Sequence, residues 1–573
     1  MSTTTLEQAQ NLEITKIALE FAAKAKEHPI GAVLGTLGLL AVHALYKSFR
    51  SSRAFSYLDG PEPPSFIWGH LPQLFDSGVM GEDQLWTADL RAMHEMVVKE
   101  HDSFRESEGF LSWIKLVSGD NLITVHGDKH KLQRKLLNPV FTPKHMRDRM
   151  KAHSTSLIVI LILISMQLCP HSVQLPTMQV ILEDIVTNRI QEGGSTSATV
   201  DIYKWMNYVA LEMIEQGGMG HSFGVMENKE SEYLKAAGRF FPTTFQLWYI
   251  RPFLPQLMKI GPRSFRRFIV EHTPFGPIQE VKAVSDVMDA EAVGIYSRKK
   301  EAAANGTLHA QVAAGKDIMT LLLKQNELMA LDQQMTEDEL VAQVNGFVFA
   351  GSDTTSTALA RILHLLALYP KIQDTLRTEV SEAFQLYGSD PDYDQLNSLH
   401  YLDAVCRETL RLYPPVLFVE RIAQKDWVLP LQHPIKSKDG KTLITEIPVK
   451  KGTNIYLSIL AANRDKQTWG EDADQFKPSR WLDELPLAVR ESKNPGVYSS
   501  TMTFLGGPRA CIGFKFSQLE MKIVLAKLIK AFKFELGEHQ IGWGSDGITK
   551  PYITYADGTK SPSHTMPMKV SIV

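Results

Sequence analysis

The stretch 503-TFLGGPRACIGF-514 places Cys511 in a glycine-rich run just before a helix that we predict to begin near Phe516. Amides of such a turn and the dipole of a helix N-terminus both stabilise a thiolate. Glycines also let the backbone approach a flat ligand closely, because they carry no side chain. The chain has only 3 cysteines in 573 residues, which excludes a disulfide framework and indicates a reducing environment. Cys511 is therefore a candidate metal ligand or nucleophile.

Composition predicts a large globular protein without a nucleic-acid surface. Hydrophobic residues make up 44% of the chain, which is enough to fill a sizeable core. With 61 basic and 64 acidic residues the formal net charge is -3, so bulk charge favours no nucleic-acid partner. No repeat and no second composition class follows the N-terminal region, so we interpret residues 67–573 as one large domain.

An uncharged apolar run at residues 30–46 predicts a transmembrane anchor. Its length is at the short end of what crosses a bilayer core of about 30 Å, and a buried core helix is the alternative. Lys47, Arg50 and Arg53 follow the run, and the positive-inside bias places the downstream domain in the cytosol. Residues 1–29 are predicted as an amphipathic segment, either interfacial or on the surface of the body, and residues 47–66 as a basic and proline-rich linker.

The sequence 336-TEDE-339 predicts a capping box at the start of a helix of about 30 residues that Pro370 ends. The helix is apolar almost all round, so we expect it to run through the centre of the protein. Its middle contains Gly351, Asp353 and Thr354. Small residues leave room against the backbone, and a buried acid beside a hydroxyl is costly without a task or partners. A helix kink with solvated polar residues is the alternative.

Two further helices are predicted after the central one. The first begins at Pro370 and runs to about Tyr387, and the second spans roughly 398–412. On the second, Glu408 and Arg411 are three residues apart and share a face, so they can pair. Such a pair is often solvated, but the flanking leucines and valine indicate burial, and a buried pair needs further partners. We expect Arg480, in 476-FKPSRW-481, to be one of them.

Several motifs accompany the cysteine run in a fixed order along the chain. Residues 504–513 fit F-x-x-G-x-R-x-C-x-G, residues 408–411 fit E-x-x-R, and residues 350–355 read AGSDTT in the middle of the predicted central helix. The stretch 127-GDKHKLQRKLLNPVF-141 resembles a helix that normally carries W-x-x-x-R, with His130 in place of tryptophan and Arg134 as the arginine. From about Leu85 to the end, the chain thus resembles the cytochrome P450 family of haem-thiolate monooxygenases.

This resemblance implies a mainly α fold with small β-sheets, of the α+β class, in which a long central helix lies over haem b. It implies that Cys511 is the axial thiolate ligand of the haem iron, pushing electron density to the metal and favouring O–O cleavage. Phe504 would pack near the sulfur and limit its solvation. Gly507 and Gly513 would let the loop approach the cofactor.

The resemblance also assigns the charged residues. The groups implied to pair the haem propionates are Arg134, Arg421, Arg509 and His130. The residues implied to be structural, holding the loop that presents the cysteine, are Glu408, Arg411 and Arg480. Asp353 and Thr354 would organise water and deliver protons to dioxygen.

The implied reaction is a monooxygenation of a lipophilic substrate. Electrons would come from NADPH through a separate, membrane-bound flavoprotein reductase, because no nucleotide-binding segment is recognisable. The stretch 240-FFPTTFQLWYIRPFLP-255 is dense in aromatics and falls where the family has mobile lid helices, although ordinary core aromatics would explain it too. The sequence resembles fungal members of the family, many of which act on terpenoids or other secondary metabolites, and we expect the endoplasmic reticulum membrane as its location.

Two stretches of the chain depart from the family pattern. About 20 residues are missing near Met80, and residues 149–174, which include Cys169, form an atypical insertion. A skipped exon and a retained intron in the gene model would explain both.

One alternative function is that of an oxygen-independent haem-thiolate isomerase or dehydratase, although such enzymes often lack the acid and hydroxyl of Asp353 and Thr354. Another is a membrane-tethered scaffold with an impaired haem site.

Overall fold

The computed structural model describes residues 57–58, 84–144, 147, 197–222, 225, 231–308, 317–388, 390–545 and 547–573. The predicted segment 1–29, the anchor 30–46, most of the linker 47–66, the region near Met80 and the whole insertion 149–174 lie outside these residues. The chain forms two compact units, a small one (Met1–Leu85 with Ile435–Ile444) and a main one (Trp86–Pro434 with Thr445–Val573). All predicted site residues belong to the main unit.

Helices dominate the described chain. The α-helices are Leu90–His94, Glu108–Ser118, Gly127–Leu137, Ile202–Ile214, Glu232–Gln246, Leu254–Leu257, Arg263–Glu271, Gly276–Ala304, Ile318–Glu327, Glu337–Leu368, Pro370–Tyr387, Tyr393–Asn397, His400–Leu412, Ile459–Ala462, Lys466–Trp469, Leu487–Glu491 and Phe514–Ala531. Two π-helical segments are Glu95–Lys99 and Glu215–Met219, and the 3-10 turns are Asn138–Phe141, Trp248–Phe253, Leu331–Gln333, Pro478–Trp481 and Gly507–Arg509.

The strands form several small sheets. In order across the sheet, one has Leu85–Thr87, Asn454–Ser458, Phe418–Ala423 and Phe104–Arg105, and another has Phe532–Leu536, Pro567–Ile572 and Ala198–Asp201. Three two-stranded pairs are Trp427–Lys436 with Leu443–Val449, Gly496–Tyr498 with Thr501–Gly506, and Gln540–Ser545 with Thr549–Thr554. The last pair, which we call the C-terminal hairpin, is antiparallel with Gly544 opposite Lys550. The predicted mainly α class with small sheets is confirmed.

The predicted central helix is Glu337–Leu368, 32 residues long. Its capping box is present, because the Thr336 hydroxyl accepts from the Glu339 amide while the Glu339 carboxylate accepts from the Thr336 amide at 2.9 Å. The helix ends before Tyr369, whose backbone leaves the helical region, as a residue that precedes proline prefers. Most of its side chains between these ends are buried, which confirms its central position.

Small residues on the central helix admit neighbouring protein side chains. A Cβ on Gly351 would lie 2.9 Å from Cγ1 of Ile214, on helix Ile202–Ile214, so that side chain fills the room we predicted there. The ring of Phe240 is 2% exposed and packs edge to face on Phe349 of the central helix, with centroids 5.5 Å apart. For Phe240 the alternative of a core aromatic is therefore correct.

The neighbouring helices match the prediction with small shifts. Helix Pro370–Tyr387 is confirmed with Gly388 at its end. The next helix begins at His400 rather than at Ser398, because the Ser398 amide closes helix Tyr393–Asn397 by donating to the carbonyl of Asp394 at 3.0 Å. Within the described parts of the chain, we find no helix that combines the length and the apolar character needed to cross a membrane.

Candidate active site

Residues 504–513, which we call the cysteine loop, leave strand Thr501–Gly506 and lead into helix Phe514–Ala531, capped by Gly513. The amide of Cys511 donates to the carbonyl of Phe504 at 2.9 Å and closes the loop. Gly507 has φ +67°, and a Cβ there would lie 1.9 Å from the carbonyl oxygen of Val97. The close approach that requires Gly507 is therefore to the protein backbone itself. Gly513 is open, since a Cβ there would meet only the Phe141 ring, at 4.0 Å.

The Cys511 thiol is enclosed by the protein and yet accessible. Its side chain has exposed surface, whereas the protein around it is dense enough that burial raises the pKa of the thiol. A hydrogen bond from the Gly513 amide and the charge of Arg134 oppose this effect without overcoming it. The predicted help from the turn is thus present, but the polypeptide alone does not make Cys511 a thiolate. A coordinated metal ion would, because metals deprotonate thiols outright.

Three arginines gather around the cysteine loop with few acidic partners. Arg134 donates from Nη1 to the carbonyl oxygen of Ala510 at 2.7 Å, next to the cysteine. Arg421 and Arg509 share one carboxylate, that of Glu106, at 3.2 and 3.0 Å. Burial would raise the pKa of Glu106, but Arg421 and Arg509 lower it to about 2. Sequence reasoning missed Glu106, because it lies about 400 residues from Arg509 and belongs to no local motif.

His130 lies on helix Gly127–Leu137, one turn before Arg134, and is 6% exposed. Burial and the positive charges of Arg509 and Arg134 lower the pKa of His130 to about 4. The imidazole is therefore neutral near pH 7 in the protein as described. A neutral ring can donate a hydrogen bond to a carboxylate but supplies no full positive charge. The predicted pairing of His130 with a propionate would therefore be a hydrogen bond and not an ion pair.

The donor set fits a haem. Among the described residues one half-buried carboxylate, that of Glu106, is paired with Arg421 and Arg509, and Arg134 has its described hydrogen bond to a neutral carbonyl. Positive charge therefore exceeds negative charge beside an accessible thiol. A ligand that carries a thiolate-binding metal and two carboxylates requires these groups. The Phe504 ring packs edge to face on Tyr498, with centroids 5.4 Å apart, and its place near the sulfur stays a prediction.

The predicted Glu408, Arg411 and Arg480 cluster is present. The Glu408 carboxylate, 0% exposed, accepts from Arg411 Nε at 2.9 Å and Nη2 at 2.8 Å. Arg480 Nε lies at 3.4 Å, and the Trp481 indole donates to Glu408 Oε2 at 2.9 Å. Trp481 was within the quoted motif, but its role was not predicted.

This cluster continues to the strand that precedes the cysteine loop. Arg411 donates to the carbonyl oxygen of Asn463 at 2.9 Å, and the Asn463 amide nitrogen donates to Thr503 Oγ1 at 2.9 Å. Asn463 also accepts from the Met502 amide at 2.7 Å, and the Thr503 hydroxyl donates to the carbonyl of Leu410 at 2.8 Å. The buried ion pair is therefore connected to the chain that presents Cys511.

Asp353 and Thr354 lie on the central helix. The Thr354 hydroxyl donates to the carbonyl of Ala350 at 2.8 Å. The Asp353 carboxylate is 7% exposed, and its Oδ2 lies 2.9 Å from Nζ of Lys550, which sequence reasoning missed. The neighbouring Thr355 hydroxyl lies 3.2 Å from the hydroxyl of Ser517, on the helix that follows the cysteine loop. The Asp353–Thr354 turn is thus adjacent to the first turn of that helix.

Comparisons with known proteins agree with this geometry. The family model described as Cytochrome P450 matches residues 166–543. Cytochrome P450 monooxygenase 91 of Postia placenta is 42% identical over 90% of this chain and 94% of its own length. Ganoderic acid synthetase CYP5150L8 of Ganoderma lucidum is 38% identical over 84% of this chain and 86% of its own.

A solved structure supports the fold. The crystal structure of a cytochrome P450 (CYP102L1) superposes with a TM-score of 0.62 at 19% identity and covers 91% of this chain and 99% of its own. The matching family model spans more than half of the chain, and the curated relatives are named cytochrome P450 monooxygenases. The chain therefore belongs to the cytochrome P450 family and is a haem-thiolate monooxygenase.

Proposed function

We propose that this chain inserts one oxygen atom of dioxygen into a lipophilic terpenoid, using electrons from NADPH that a membrane-bound flavoprotein reductase delivers. The observation that carries the proposal is the accessible Cys511 thiol beside three arginines, of which Arg421 and Arg509 share one carboxylate and Arg134 donates to a neutral carbonyl. The terpenoid class is supported by the name of a relative at 38% identity, Ganoderic acid synthetase.

In this proposal the residues around the cysteine loop hold the cofactor. Haem, when bound, supplies the iron centre that activates dioxygen. Cys511 would bind the iron through its sulfur, and the three arginines would neutralise the propionates. His130 would add a hydrogen bond from its neutral ring. Gly513, the open glycine of the loop, would give the cofactor room, and Phe504 would limit water at the sulfur.

Asp353 and Thr354 would supply the protons that the reaction consumes. The Thr354 hydroxyl, now bound to the Ala350 carbonyl, can rotate to donate elsewhere, because that helix carbonyl already has its backbone partner. Asp353 directly precedes Thr354 on the helix and can take up protons from water. The presence of both groups favours oxygen chemistry over the isomerase and dehydratase alternatives.

Aromatic side chains next to the central helix support a lipophilic substrate. The Phe241 ring lies 5.8 Å from Phe349 and 6.3 Å from Phe245, centroid to centroid, and Phe245 meets Trp113 at 6.0 Å. These side chains stand at the end of helix Glu232–Gln246, within the predicted lid segment. They would form an apolar wall for the substrate.

An exposed amphipathic helix supports a membrane location. On helix Arg263–Glu271 the side chains of Phe265, Phe268 and Ile269 are 46%, 56% and 44% exposed, and arginines stand between them. Apolar side chains interleaved with arginine suit the boundary between lipid head groups and acyl chains. Together with the predicted anchor at residues 30–46, this face would hold the domain on the cytosolic side of the endoplasmic reticulum.

The test is to purify the protein, reduce it and add carbon monoxide. A strongly red-shifted Soret band is expected, and its absence would favour the impaired scaffold. Reductase-dependent consumption of NADPH and oxygen is then measured on a panel of terpenoids and, as a matched set, polar analogues. Product carrying one atom of labelled dioxygen is expected only with the lipophilic members. Turnover without oxygen uptake would overturn the proposal in favour of an isomerase.

A further inference from the structure

A lysine from the C-terminal hairpin reaches the central helix at the acid of the proposed proton path. Lys550 is 4% exposed, and its Nζ lies 2.9 Å from Oδ2 of Asp353. We propose that Lys550 is a positioning residue, which holds the Asp353 carboxylate charged and oriented and so governs proton delivery through Thr354. This inference rests on the proposed function of Asp353 and Thr354 and extends it to the C-terminal hairpin.

The hairpin is fixed on both sides of Lys550. The amide of Thr549 donates to the carbonyl of Pro415 at 2.9 Å, which ties the hairpin to the turn after the Glu408 helix. On the paired strand, Trp543 stacks on Arg361 of the central helix, with the guanidinium carbon 3.6 Å from the ring centroid. The Trp543 indole also lies 3.1 Å from Nδ1 of His364, one turn further along. The backbone that carries Lys550 is thus held against the central helix.

Because Lys550 and Asp353 are buried, the loss of either partner would be costly. Two charges withdrawn from water are stable only as partners, and removing one leaves the other uncompensated. Without the lysine, the buried Asp353 carboxylate would take up a proton or draw in water. The lysine therefore sets both the charge and the direction of the acid.

Other polar groups surround the pair from helix Ile202–Ile214. Burial, with a contribution from Asp353, raises the pKa of Tyr203 to about 12, so Tyr203 stays neutral. The Asn207 carbonyl oxygen accepts from the Ser356 hydroxyl at 2.8 Å. Tyr233, on another helix, is fully buried, and burial raises its pKa further still. These groups are uncharged, although the buried acid Glu215 also acts on Tyr233. Among the described residues, Lys550 is the cation in contact with Asp353.

The proton balance of the proposed step is simple. Asp353 takes a proton from water and passes it to the Thr354 hydroxyl oxygen, while Thr354 releases its own hydroxyl proton toward the reacting side. The Asp353 carboxylate is regenerated, and Thr354 is unchanged. Each passage thus moves one proton inward and restores the pair with Lys550, and two passages supply the two protons that form water from the second oxygen atom.

The test compares charge removal with charge retention. Lys550→Met removes the cation at similar length, Lys550→Arg keeps it, and Lys560→Met removes an exposed lysine from the loop that follows the hairpin. Infrared spectroscopy at neutral pH is expected to show a new protonated-carboxyl band in Lys550→Met that is absent from the Lys550→Met/Asp353→Asn double variant. The band should be absent from Lys550→Arg and Lys560→Met. This readout reports on Asp353 whether or not the enzyme turns over.

Turnover supplies the second readout. In Lys550→Met the fraction of consumed oxygen that appears in product should fall about tenfold, below the ~10²-fold loss typical of removing a general acid itself. KM should change little, the solvent isotope effect should rise, and Lys550→Arg should restore coupling. Should Lys550→Met not fold, Lys550→Gln, which keeps a hydrogen-bond donor without charge, carries the same comparison.

The outcomes separate the two proposals. A missing carbonyl band in the wild-type protein would refute the proposed function, and the infrared comparison would still decide the role of Lys550. A folded Lys550→Met protein with no protonated-carboxyl band and unchanged coupling would overturn the inference. So would an equal loss of coupling in Lys550→Arg, since that result indicates packing rather than charge.

Discussion

Replacing Glu408 with glutamine tests whether the buried cluster holds the cysteine loop. The substitution keeps the shape of the side chain but removes the only acidic partner described for Arg411, and both side chains are 0% exposed. Glutamine can accept through one oxygen only, so the opposite end of the side chain would direct an NH2 group at a guanidinium or at the Trp481 indole.

The expected cost is about 3–5 kcal/mol in the free energy of unfolding, the range for breaking a buried ion pair by removing one partner. Adding the separate hydrogen bonds to Glu408 would give a larger figure, because such contributions are not additive within one network. Trp481→Phe is the milder variant. It removes the 2.9 Å bond to Glu408 Oε2 and keeps an aromatic ring for the contacts with Trp469 and Arg407, and it should cost about 1.5–3 kcal/mol, the range for a hydrogen bond to a charged group.

Urea unfolding followed by circular dichroism measures these differences, and haem content is measured in parallel. Asp426→Asn, which breaks the exposed pair with Lys450, is the control and should leave the midpoint unchanged. Because Arg411 reaches Thr503 through Asn463, Glu408→Gln should also lower the fraction of protein that retains haem. A Glu408→Gln midpoint equal to that of the control would refute this account of the cluster.

Three further predictions concern the cysteine loop and its arginines. Glu106→Gln should lower the free energy of unfolding at pH 7 by about 3 kcal/mol, since folding lowers the pKa of Glu106 from 4.5 to about 2. The difference from wild type should shrink as the pH falls from 4.5 toward 2. An equal difference at every pH would contradict this prediction. The folded protein lowers the pKa of His130 from its ordinary 6.5 to about 4, so the haem-free protein should become less stable as the pH falls from 6.5 to 4. The urea unfolding midpoint of His130→Asn should not show this dependence on pH. Gly507→Ala should lower the free energy of unfolding by more than about 2 kcal/mol, because of the positive φ and the clash with Val97, and should yield little folded protein. Gly513→Ala is the control and should fold normally. Equal expression and equal unfolding midpoints of the two variants would show that the loop backbone is not constrained as described.

Local patterns in the sequence predicted much of the fold. The capping box at Thr336 and the proline at 370 mark the ends of the central helix because caps and proline act on the backbone within a few residues. The pairing of Glu408 with Arg411 followed from helix spacing, and Arg480 was expected as a further partner because a buried pair needs one, in agreement with the resemblance. The loop at Cys511 was recognisable because its function requires adjacent residue types.

Contacts between distant segments were not predictable in the same way. Glu106 meets Arg509 only after the chain has folded, and neither its neighbours nor its spacing distinguishes it from a surface acid. Lys550 lies on the C-terminal hairpin and Asp353 on the central helix, and these two elements meet only in the folded protein. The effect of burial on the Cys511 pKa was missed for the same reason, because a sequence shows the nearby amides but not the surrounding protein density.

The central claim is that the sulfur of Cys511 binds the haem iron. The most direct measurement is the absorption spectrum of the reduced protein under carbon monoxide, for the wild type and for Cys511→Ser prepared in the same way. The account predicts a strongly red-shifted Soret band in the wild type and its loss in the serine variant. The same band and the same turnover in both proteins would contradict it.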